Sequence, residues 1–107
     1  MDRLEGLWYS HFTAGSVQGD GMAVLREGEI VGGDPIHTYS GSYGYDGPNL
    51  YVNVRVSPYS RGSTPTDLQR PINFFLRGLI SESSGKISGH ADNRPDLAVV
   101  VELQKGA

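Results

Sequence analysis

Three histidines, 12 acids and six tyrosines are the side chains of this 107-residue chain from which chemistry could be built. The histidines are His11, His37 and His90, and none has a cysteine or histidine neighbour at metal-ligand spacing. A zinc site draws on three or four such ligands, so no metal is expected. Asp34 and His37 lie three apart in sequence, and His90 and Asp92 two apart. Positions two apart share a face of a strand, so His90 and Asp92 could approach each other. A nucleophile is harder to find. There is no cysteine, and no serine sits in a Gly-x-Ser-x-Gly elbow; Ser40 and Ser42 flank Gly41 in a strand-like run instead. The Gly-rich region around Gly32-Gly33 is not followed by Lys-Ser/Thr and opens no helix, so it is no phosphate loop. No set of residues supplies a nucleophile, a base and a stabilising group together. The expectation is a protein without catalytic residues and without a cofactor.

What remains is aromatic. His37, Tyr39, Gly41, Tyr43 and Tyr45 alternate with Thr38, Ser40, Ser42 and Gly44. That period of two puts three tyrosines on one face of a strand. Two readings of this face stay open: the tyrosines pack the core with hydroxyls at a rim, or they form an outward patch for a protein partner.

Eight strand-like runs account for the rest, each closed by Gly, Pro, Asn or Ser. They cover 6–13, 20–26, 29–33, 36–45, 50–57, 72–81, 86–91 and 96–105. In the fifth run Leu50, Val52, Val54 and Val56 alternate inward against Tyr51, Asn53, Arg55 and Ser57. The sixth turns Ile72, Phe74, Leu76, Gly78 and Ile80 inward and leaves Phe75 and Leu79 on the other face, as core or as exposed surface. The eighth buries Leu97, Val99, Val101 and Leu103. In the first, Trp8 is expected inside, near one end.

The connections have their own signatures. Glu27-Gly28 suits a tight hairpin. Gly32-Gly33-Asp34-Pro35 predicts a bend or bulge, with Pro35 holding Asp34 extended. Asp46-Gly47-Pro48-Asn49, Ser83-Ser84-Gly85 and Asp92-Asn93-Arg94-Pro95 read as turns, and 14–19 as a polar loop. The stretch 58–71 has no periodicity and reads as a mobile loop.

Eight short sequential strands make an all-β antiparallel meander in one domain, 1–107. Closure into a small barrel removes the sheet edges. Eight strands enclose a space that side chains can fill, or that one small ligand can share.

Composition narrows the function. Net charge is −3, and the nine basic residues are scattered singly, so nucleic acid is not an expected partner. Without cysteine, the fold is held by packing alone, which fits a reducing compartment. The polar start Met1-Asp2-Arg3-Leu4-Glu5 has no signal-peptide core, and no apolar run is long enough for a membrane helix. A cytoplasmic protein is expected.

Two motifs carry resemblances. Gly6-Leu7-Trp8 looks like the Gly-x-Trp start of lipocalins. A longer pattern runs from Gly6-x-Trp8 through Gly19-x-Gly21 and Gly28-x-Ile30-x-Gly32-Gly33-Asp34 to Tyr39-x-Gly41-x-Tyr43. It resembles the GrlR-like family, negative regulators of type III secretion. The resemblance covers the first half of the chain. It implies a small lipocalin-like barrel, often dimeric, that binds a transcriptional activator and holds it off DNA. The best-known member of that family makes that contact through an exposed acidic loop after the Tyr-x-Gly strand. The matching segment here, Gly44-Tyr45-Asp46-Gly47-Pro48-Asn49, keeps one acid, Asp46, so that contact does not carry over.

The leading expectation is thus a non-catalytic regulatory module. It would bind a protein partner or a second subunit through Tyr45, Asp46, Asn49, Phe75 and Leu79. The alternative is a carrier of a small apolar ligand inside the barrel, near Trp8, Tyr39 and Tyr43. A carrier needs a cavity of roughly 300 Å3 or more, and a solid barrel would remove it from consideration.

Overall fold

A computed structural model describes residues 4–58, 71–92 and 94–106. The expected loop at 58–71 lies almost wholly outside the described residues. Eight strands follow in chain order: β1 (Gly6–Ala14), β2 (Val17–Arg26), β3 (Glu29–Gly33), β4 (His37–Asp46), β5 (Asn49–Pro58), β6 (Ile72–Ile80), β7 (Ser84–Ala91) and β8 (Arg94–Lys105). Each pairs antiparallel with the next, and β8 pairs with β1, so the sheet closes into a barrel. Among the described residues no helix is long and apolar enough to cross a membrane.

Alternation dictates what fills the barrel. Leu25, Ile30, Leu50, Val52, Val54, Phe74, Leu76, Ile87 and Val99 are all buried, and their sequence neighbours on the strands are more exposed. The cross-strand register then aligns them. Tyr43, Val52 and Leu76 stand in one row, Val54, Phe74 and Ala91 in another.

Up-and-down topology sorts the connections to two ends. One end carries Leu4 and Glu5, ahead of β1, and the β2–β3, β4–β5 and β6–β7 turns. There Glu27 and Gly28 both have positive φ, 51° and 81°, the pairing that a two-residue hairpin with the right twist requires. The backbone N–H of Glu27 donates to the Glu5 carboxylate at 3.0 Å, tying the N-terminal segment to this turn. In the β6–β7 turn the Ser81 hydroxyl accepts the backbone N–H groups of Ser83 and Ser84.

At the other end two expected boundaries shift. The polar loop 14–19 shrinks to Gly15-Ser16, because β2 starts at Val17 and pairs with Ala14. Gln18 points outward and Gly19 lies under the Phe12 ring, where a Cβ would come within 2.6 Å of it. Polar and glycine residues therefore extend this strand although they read as a loop. Likewise β8 begins at Arg94, not Asp96. Arg94 pairs with Ala91 and Ala98 with His90, which leaves residues 95–97 in a bulge. The missing N–H of Pro95 takes nothing from the ladder there.

Candidate functional site

The barrel is not solid. A cavity of about 400 Å3 lies along its axis, walled by Leu25, Ile30, Val52, Val54, Phe74 and Leu76 among others. It reaches the end that carries the β1–β2, β3–β4 and β7–β8 turns, where Ser16, Arg94 and Asp96 line it. At this rim Arg94 Nη2 donates to Asp96 Oδ2 at 3.1 Å. That side-chain hydrogen bond holds the Asp96 carboxyl below its ordinary value.

The opposite end is packed shut. Leu4, Trp8, Tyr43 and Ile80 are buried there and form no part of the cavity wall. Trp8 is fully buried; its Nε1 donates to the Leu4 carbonyl at 2.8 Å and Lys105 Nζ stands 5.2 Å from the ring centroid. Lys105 Nζ also donates to the Glu5 carbonyl at 2.6 Å, so the ammonium is held in place over the indole.

One polar cluster interrupts the apolar wall. The connection Asp34-Pro35-Ile36 folds back as a turn: Asp34 Oδ1 accepts the backbone N–H groups of Ile36 at 2.9 Å and His37 at 2.7 Å. The Tyr39 hydroxyl donates to Asp34 Oδ2. His37 Nδ1 lies 3.2 and 3.3 Å from the two carboxylate oxygens. Asp34, His37 and Tyr39 all line the cavity, with Asp34 and His37 buried. Two polar atoms of the same wall, His37 Nε2 and Ser10 Oγ, are buried and have no hydrogen-bond partner.

Of the aromatic residues read as an interior lining, Tyr39 reaches the cavity; Trp8 and Tyr43 belong to the packed end. The residues read as a partner surface take other positions. Tyr45, Asp46, Asn49, Phe75 and Leu79 are all exposed. Register places Asp46 opposite Asn49, and Asn49 opposite Leu79, in one line across β4, β5 and β6. Phe75 shares the outer face of β6 with Leu79, and Arg77 lies between them.

His90 Nδ1 donates to the Ala91 carbonyl; the histidine–carboxylate pairs among the described residues are His37 with Asp34 and, on the outer face, His11 with Asp20 at 2.7 Å. Among the described residues no group of three His, Cys, Asp or Glu side chains could hold a metal ion. The Asp34–His37–Tyr39 cluster had a usable sequence signal: inward parity of His37 and Tyr39, preceded by an Asp-Pro that closes a hairpin.

The architecture so defined is an antiparallel eight-stranded barrel with a one-ended apolar interior. No protein-family model matches the chain, and no curated protein is significantly similar to it.

Proposed function

We propose that this protein is a non-catalytic binding protein that holds one small apolar ligand inside its barrel. The observation that carries the reading is the cavity of about 400 Å3, walled mainly by aliphatic and aromatic side chains and reaching one end of the barrel. Ligand sites fall in the range of roughly 300–1,000 Å3 and combine apolar walls with few polar groups. The space equals roughly a dozen water volumes at about 30 Å3 each. The test is a titration with the neutral fluorophore N-phenyl-1-naphthylamine. The account expects saturable enhancement at one probe per chain. A folded protein that takes up no probe would refute it.

A second reading has its own support on the outside. Asp46, Asn49 and Leu79 form a continuous outer line, with the exposed Phe75 beside it. Exposed apolar residues rimmed by polar ones favour a protein partner. In this reading the chain is a regulator similar to the negative regulators of type III secretion, and the ligand in its interior would accompany that role. Leu79→Asp should abolish capture of such a partner while leaving probe uptake intact.

A further inference from the structure

We propose that His37 Nε2 is the head-group acceptor of this cavity, and that the ligand is an uncharged apolar molecule bearing a hydroxyl, an alcohol or a phenol. The inference rests on the reading of the interior as a ligand site and adds the chemical class of the ligand.

Four observations lead there. First, the side chains of Asp34 and His37 are 3% and 2% exposed, so their hydrogen bonds must be met from within. Second, the tautomer of His37 follows from its neighbour. Asp34 already accepts two backbone N–H groups and the Tyr39 hydroxyl. A carboxylate only accepts, so the ring nitrogen facing it, Nδ1, carries the proton. In the neutral imidazole Nε2 is then a bare acceptor. Third, that acceptor is buried, lacks a partner and belongs to a residue lining the cavity. A buried acceptor left unmet is unfavourable, and a donor on a ligand would satisfy it.

Fourth, the wall is built to hold the cluster in one orientation. Ser10 pairs with Gly21, and Asp34 donates its backbone N–H to the His37 carbonyl, so the four lie along one inner tract of β1 to β4. A Cβ at Gly21 would stand 2.9 Å from the Tyr39 hydroxyl and 3.2 Å from the Asp34 Cβ. Glycine there gives Tyr39 room to reach Asp34 and fix its orientation. Ser10 Oγ, also buried and unpartnered, offers a further contact in the same wall.

Charge selects between possible heads. Asp34 already places one carboxyl group in this buried wall, and a ligand carboxylate would set a second beside it in the same apolar space. An ether or ester offers no proton to Nε2. A hydroxyl donates one and adds no charge.

The experiment compares 1-decanol, 1-methoxydecane and decanoate as competitors of N-phenyl-1-naphthylamine, on wild-type protein, His37→Leu and Asp34→Asn. Preferences are read as ratios between proteins, so that differences in the hydration of the competitors cancel. Wild type should favour decanol over the ether by roughly three- to tenfold more than His37→Leu does, the worth of one buried neutral hydrogen bond. Asp34→Asn keeps an acceptor for the backbone N–H groups but turns an amide donor towards Nδ1. The ring proton then moves to Nε2, and the ether should gain on the alcohol. Equal ratios in all three proteins would overturn the head-group assignment and leave the ligand site standing. A preference for decanoate would overturn the uncharged head. Failure of all competitors and of the fluorophore would remove the ligand site itself. If either variant fails to fold, the 15N resonance of His37 Nε2 in wild type decides: it should move on adding decanol and stay on adding the ether, and no movement with decanol would overturn the assignment.

Discussion

At the end of the barrel that carries the N-terminal residues, the buried side chains include Leu4, Trp8, Tyr43 and Ile80; towards the other end the inner wall has Ser10, Gly21, His37 and Tyr39. The strands run through both ends with the same alternation. The difference lies in side-chain volume and in how polar atoms are met. At the packed end the single indole N–H finds the Leu4 carbonyl, and Leu4, Trp8, Tyr43 and Ile80 are buried outside the cavity wall. At the hollow end smaller or polar side chains stand where bulk would be needed, and two buried polar atoms wait for partners. The two ends therefore differ in packing: buried side chains fill one, and the cavity opens at the other.

Substitutions should separate the two ends. The largest effect is expected from Trp8→Ala, which removes the fully buried indole. Loss of a buried aromatic costs about 3–5 kcal/mol, readable in urea denaturation. A loss below about 1 kcal/mol would mean that the packed end is not where stability resides.

Asp34→Ala comes next. It leaves the N–H groups of Ile36 and His37 and the Tyr39 hydroxyl without their acceptor, a cost of roughly 1–3 kcal/mol. A melting temperature equal to wild type would show that the turn is held by Pro35 and the flanking strands instead.

Filling the hollow end should act in the opposite way. Val54→Phe together with Val99→Phe adds bulk from β5 and β8, both cavity-lining. Added methylenes normally strain a packed core by about 1–3 kcal/mol. Here the stability change should stay under about 1 kcal/mol because the new rings enter empty space, while uptake of N-phenyl-1-naphthylamine is lost. Unchanged uptake in a folded variant would place the probe elsewhere on the molecule.

The smallest effect sits at the rim. Arg94→Ala should let the Asp96 carboxyl rise towards its ordinary value of 3.8, followed by 13C NMR across an acid titration. The sign follows from the direction of the shift. A carboxyl held low in the folded state stabilises at pH values above its unfolded value, and that contribution fades as pH falls below about 3.8 through the folded value. The Arg94→Ala variant should therefore lose that pH dependence: it should be slightly less stable than wild type near neutrality and converge with it as the pH falls through the acidic window.

Alternation made most of the barrel legible in advance. Leu50, Val52 and Val54 on β5, and Phe74 and Leu76 on β6, are inward where the period of two puts them. The closed eight-stranded sheet follows from that pattern and from the turns at Glu27-Gly28 and Asp46-Gly47. The start of β2 was not legible, because Gln18 and Gly19 carry no strand signal of their own; the Phe12 ring over Gly19 arises only when β1 and β2 pair. The site was legible in part. Tyr39 could be put on an inner face, but its distance from Trp8 and Tyr43 depends on which end of the barrel each strand position reaches. Asp34 read as part of a bend and His37 as part of the strand face that follows it. Their meeting depends on the tight turn after β3 and on the gap at Gly21, a contact between β2, β3 and β4 that periodicity does not encode.

The contrast between a solid and a hollow end is tested most directly by intermolecular NOEs from bound 1-decanol. The alkyl protons should show NOEs to the methyl groups of Val54 and Leu76 and none to the Trp8 indole or the Leu4 methyls. NOEs confined to Met22, Val24 and Val31, which lie exposed on the outside of β2 and β3, would contradict the account.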